Sequence, residues 1–126
     1  MEREGSIALG SILTSVKKKI GIEGEYDHFD HDVLTEINMN LATLFQVGAG
    51  SEFYNVVSAE DTWEDFFSNA GIQNRHTLEM IKEYVYIGVK LLFDPPDSSA
   101  VMESLKQKKE ELEWRIYLDE DLIPNQ

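Results

Sequence analysis

From Tyr84 to Phe93 the chain is apolar at nearly every position, broken only by Gly88 and Lys90, and Asp94-Pro95-Pro96 closes the run. A stretch of that length is too short to cross a bilayer and carries a charge, so protein must cover it. Taken alone, the decapeptide also reads as a buried strand. The polar segment before it, with Asn74 as a candidate cap, makes the whole long enough to predict a helix over Arg75–Phe93. A helix apolar on most faces lies at the centre of a fold or in a subunit interface. Neither proline can continue a helical ladder, so the helix stops there.

Three further helical patterns surround this one. Leu9, Ile12, Leu13, Val16 and Ile20 share one face of a helix from Ser6 to Ile20. Lys17, Lys18 and Lys19 fall in its last turn, where they complement the dipole, and Gly21 is placed to end it. The triplet reads as a solvated helix end, with a phosphate-binding patch as the alternative. A second helix runs from His31 to Val47 with Asp30 as N-cap. Val33, Leu34, Ile37, Leu41, Leu44 and Phe45 cover its apolar face, and Met39 falls on the polar side. Residues 48–60 are irregular, with Phe53, Val56 and Val57 suited to a short strand or hairpin arm. Asp61 or Thr62 then caps a helical turn holding Trp63, Phe66 and Phe67, an aromatic cluster expected to pack as a satellite under the loop. The last helix runs from Ser99 to Leu118, capped by Ser98 or Ser99, with Val101, Met102, Leu105, Leu112 and Ile116 as its stripe. The fold class is therefore all-α: a small bundle of about four antiparallel helices, a longer C-terminal helix, and an irregular or short β arm in the middle. One domain is expected over residues 1–126, with the acidic residues 119–126 as a loose tail.

The last helix carries an anomaly. At 100° per residue, Glu103, Gln107, Glu110, Trp114 and Tyr117 lie opposite the apolar stripe. A tryptophan and a tyrosine on the polar side of an amphipathic helix suit a protein interface, where such residues are typical anchors. The competing explanation is that another element of the same domain covers them.

Composition narrows the function. The chain has 126 residues, 42% of them hydrophobic, enough to bury a core without staples, and it contains no cysteine. The charged start Met1-Glu2-Arg3-Glu4, and an apolar stretch broken by Ser6, Gly10, Ser11 and Ser15, do not read as a signal peptide. The expectation is a soluble protein made in the cytoplasm. A net charge of −13 opposes a sequence-independent grip on nucleic acid and suits solubility, DNA repulsion or basic partners. The one cluster with catalytic residue types is Asp27-His28-Phe29-Asp30-His31-Asp32. Its histidines share a face only if both lie on one helix, and no other segment supplies further ligands. It reads better as a helix N-terminus rich in caps and acids. His76 is solitary, and Glu60-Asp61 and Glu64-Asp65 read as surface carboxylates. No glycine-rich phosphate loop, G-x-S-x-G or H-E-x-x-H pattern occurs. The chain reads as a protein that assembles with other proteins, not as an enzyme, with no cofactor and no metal.

Several segments carry a resemblance. Ser15-Val16-Lys17-Lys18-Lys19-Ile20-Gly21-Ile22 precedes His28-Phe29-Asp30-His31-Asp32-Val33, Ile37-Asn38 and Gln46-Val47-Gly48-Ala49-Gly50. Thr62-Trp63-Glu64-Asp65-Phe66 follows, then the run from Tyr84 to Pro96 and Glu111-Leu112-Glu113-Trp114-Arg115. In this order and spacing the chain resembles the head–tail connector (adaptor, or head-completion) proteins of tailed bacteriophages, from about residue 12 to 118. The resemblance implies a ring of about twelve subunits under the portal of a DNA-filled capsid. The next connector, a stopper or tail-completion protein, docks on the far side, and double-stranded DNA passes through the channel without specific binding. It implies no membrane, a place in the virion, and the host cytoplasm during assembly. On this basis Glu110, Trp114, Arg115, Tyr117 and Leu118 are expected to meet the portal or a neighbouring subunit. Phe53, Tyr54 and Asn55 are the candidate loop on the stopper or lumen side. The alternative is an acidic regulatory or DNA-mimic protein that binds a basic site on a nucleic-acid enzyme.

Overall fold

A computed structural model of the chain describes residues 10–122. Among them are five helices: α1 (Ile12–Lys19), α2 (Asp30–Gln46), α3 (Trp63–Asn69), α4 (Arg75–Phe93) and α5 (Ser99–Leu122). No strand occurs among the described residues, so the arm expected at Phe53, Val56 and Val57 is irregular, and the lone antiparallel bridge joins Ser11 to Thr62.

The greasy helix sits at the centre. α4 packs against α5, α2 and α1, and buries Leu78, Ile81, Tyr84, Val85, Ile87 and Val89. Its apolar girth is therefore consumed within the chain, and Leu92 is the one exposed apolar residue of the run. α2 approaches α4 closely because position 88 has no side chain: a Cβ there would lie 2.1 Å from Asn40 Oδ1. The buried apolar residues of all five helices form one cluster.

Helix starts differ from the expectations in informative ways. Ser11 is extended, and its Oγ accepts from the Thr14 amide at 3.2 Å, so α1 begins afresh at Ile12 and no single helix runs from Ser6. Ser6 to Leu9 lie outside the described residues. The Ile12 amide donates to the Asp61 carbonyl at 3.0 Å, which joins the start of α1 to the start of α3. Asp30 is not the cap of α2: Phe29 occupies that position without a side-chain bond, and the Asp30 carboxylate faces Lys17 instead. Thr62 rather than Asp61 caps α3, in a reciprocal capping box with Asp65. Trp63 and Phe66 are not a satellite but part of the main core. The Trp63 indole donates to Ser15 Oγ at 3.1 Å. Ser98 supplies the hydroxyl at the start of α5, accepting from the Val101 amide at 3.3 Å.

The segment between α2 and α3 is held without a sheet. Asn38 donates to the Val56 carbonyl and accepts from the Val56 amide, both at 2.8 Å, as a strand neighbour would. Asp61 accepts from the Tyr54 hydroxyl at 2.6 Å and from the amides of Val57 and Ser58. Burial pushes the Asp61 carboxyl up, but these three donors prevail and hold it below the usual carboxylate range.

α5 reaches Leu122, past the expected end at Leu118, so Asp119 and Glu120 are helical and not a loose tail. Asp119 accepts from Thr77 Oγ1 at 3.1 Å and pairs with His76 at 2.8 Å. Residues 123–126 lie outside the described residues. Leu112 and Ile116 are buried and Met102 and Leu105 partly so, whereas Val101 is exposed, so the stripe engages only after the first turn.

Candidate protein-docking site

Leu112 and Ile116 fix the rotation of α5, because both are buried against the core. Trp114, two positions from each and so about 200° round the helix, must then face outward. Trp114 is 59% exposed and Tyr117 37% exposed, and their rings stack at 5.7 Å. They border an open groove of about 440 Å³, completed by Glu110 and Glu113 of α5 and by Gln46 and Val47 at the end of α2.

One wall of the groove is tied to the core. Glu113 accepts from the buried Tyr84 hydroxyl at 3.0 Å. Burial, reinforced by Glu113, pushes that phenol well above its ordinary range, so it donates at any physiological pH. Lys109 lies over the Tyr84 ring at 4.1 Å. Burial lowers its ammonium, while Glu113 and Glu36 oppose the shift. The site thus joins two carboxylates to a broad aromatic surface, which equips it to bury a partner's apolar and basic side chains.

The expected partner-binding residues do not all converge. Glu110, Trp114 and Tyr117 line the groove, whereas Arg115 does not and instead reaches Glu111 at 3.9 Å. Leu118 is half-buried and also absent from the lining. The loop trio separates as well. Phe53 is exposed and meets Phe45 edge-on at 6.1 Å, Asn55 is exposed, and Tyr54 turns inward onto Phe66 and Asp61. Gln46 and Val47 were not legible as site residues, since only the folded crossing of α2 and α5 brings them to Trp114.

In the segment Asp27 to Asp32, Asp30 is occupied by Lys17, and the His28 ring packs edge-on against Phe29 at 4.9 Å. Among the described residues, no three histidine, aspartate or glutamate side chains gather as metal ligands. No described helix is long and apolar enough to cross a membrane.

No curated protein and no solved structure matches the chain. A family model for phage connector proteins matches residues 12–122, which takes in all five helices. The chain belongs to the phage connector protein family, and its role is structural, as a component that links parts of the virion.

Proposed function

We propose that the chain, acting as a single domain, is a head–tail connector subunit that forms a ring under the portal and links the DNA-filled capsid to the stopper or tail. The observation that carries this reading is the solvent-facing Trp114–Tyr117 stack on a helix whose other side is buried in the core. Ring subunits make heterologous contacts, so two different faces must be adhesive. The groove at Trp114 is one, meeting the portal or the next subunit. The exposed Phe53 and Asn55 mark the side toward the stopper. A net charge of −13 suits a channel through which a duplex must slide without sticking.

The test is Trp114→Ala in purified protein mixed with its portal. The variant should melt within about 2 °C of the parent. Assembly should weaken by about 2 kcal/mol, near 30-fold, because an interface anchor is lost. A variant that unfolds, or that assembles as well as the parent, removes the basis for placing the interface here.

A further inference from the structure

The connection between α1 and α2 carries a second exposed apolar surface, which the connector reading leaves unassigned. Tyr26 is 51% exposed and Phe29 40% exposed. Their rings meet edge-on at 5.9 Å, and the exposed His28 ring touches both, at 6.0 Å and 4.9 Å. A solvent-facing loop ordinarily lets such rings move independently. Here the backbone beneath them is fastened to the core. The Lys17 side chain is 2% exposed, and its ammonium lies 2.6 Å from Asp30 Oδ1, 2.7 Å from the Tyr26 carbonyl and 3.1 Å from the Gly24 carbonyl. The Ile22 amide returns to the Lys17 carbonyl at 2.8 Å, which secures the loop's other end. The rings are thus presented on a fixed frame, so a partner that covers them loses little conformational entropy.

The surroundings set the partner's charge. Glu23 and Glu25 precede the rings, and Asp27 and Asp32 sit among and after them. All four are exposed, and none forms an ion pair among the described residues. We infer that this loop docks a basic face of a different protein, with arginine or lysine side chains over Tyr26 and Phe29 and within reach of the acidic rim. Aromatic faces attract cations, and the carboxylates add to that attraction. The same carboxylates repel the phosphates of a nucleic acid. A second copy of the chain is a poor complement: it carries a charge of −13, and Arg75, Lys82, Lys90 and Lys108 already pair with their own carboxylates. This inference is independent of the α5 groove.

The test uses the full chain, amide NMR and an amphipathic arginine–leucine helical peptide, with a glutamate–leucine peptide and a short DNA duplex as controls. The arginine peptide should bind saturably and shift the amides of residues 23–32 most. The double variant Tyr26→Ser/Phe29→Ser keeps every carboxylate and should lose affinity at this loop at least about tenfold, with the exposed Val57→Ser, which lies outside both surfaces, unchanged. Equal affinity in the loop variant would reduce the attraction to bulk charge and overturn the proposal. Shifts confined to α5, binding of the duplex, or no binding would overturn it as well. If the double variant melts early, shift mapping on the native chain and the single Tyr26→Ser variant decide the matter.

Discussion

Three consecutive lysines at a helix end look alike in sequence, and the dipole favours all of them equally. The fold separates them. Lys18 and Lys19 are exposed, whereas Lys17 is enclosed by a carboxylate and two backbone carbonyls that satisfy its three donors. The expectation of a solvated triplet fails at this one position, because the chain folds back over it between Gly21 and Asp30. Removing one member of a buried ion pair leaves the rest without a partner. Lys17→Met should therefore destabilise the protein by about 3 kcal/mol, while Lys18→Met should change stability by less than about 0.5 kcal/mol. Urea unfolding followed by far-ultraviolet circular dichroism checks both. Equal effects at the two positions would show that the enclosure contributes nothing.

At the scale of elements, the crossing of α2 and α4 depends on one missing methyl group. A Cβ at residue 88 would sit 2.6 Å from Asn40 Cγ and 2.7 Å from Nδ2, and Asn40 is buried with its amide donating to the Glu36 carbonyl at 2.8 Å. Alanine in a helix is favoured over glycine by about 1 kcal/mol, yet Gly88→Ala should destabilise by about 2 kcal/mol through overpacking. Asn40→Ala should relieve most of that cost in the double variant, a non-additivity that a double-mutant cycle in urea measures. The extent of α4 was legible, because a long apolar run between a polar start and two prolines depends on local chemistry alone. The outward aim of Trp114 and Tyr117 was legible too, since helical geometry fixes angles once the buried stripe is known. What escaped the sequence depends on partners distant along the chain. The break at Ser11 follows from its bridge to Thr62, the irregular arm from the Asn38 clamp on Val56, and the groove from the approach of Gln46 and Val47 to α5.

Across the whole molecule, 24 acidic residues face 11 basic ones, so folding concentrates negative charge and stability must depend on pH. Two sets of carboxylates act in opposite senses. Burial raises Glu120 above its ordinary value of 4.5, against the opposing donation of the Gln73 and Gly50 amides. The folded state therefore binds that proton more readily than the unfolded chain, and stability grows as the pH falls from neutrality toward 4.5. Asp61 is held below its ordinary 3.8 by Tyr54 and two amides that outweigh its burial, and Arg75 holds Glu64 down by hydrogen bonding. Their contributions are complete above the unfolded values and are lost as the pH falls through the folded ones. The melting temperature should thus rise on mild acidification and fall again below about pH 3.8. Relief of general repulsion also feeds the first limb, so the limbs must be assigned by substitution. Glu120→Gln should raise the melting temperature at pH 7 and flatten the first limb, because it removes the charge whose burial is unfavourable. Asp61→Asn should lower the melting temperature at pH 7 and flatten the second limb. Circular-dichroism melts of dilute protein across this range check each, and a Glu120→Gln protein that keeps the parent's full acid-side rise would assign that limb to net charge alone.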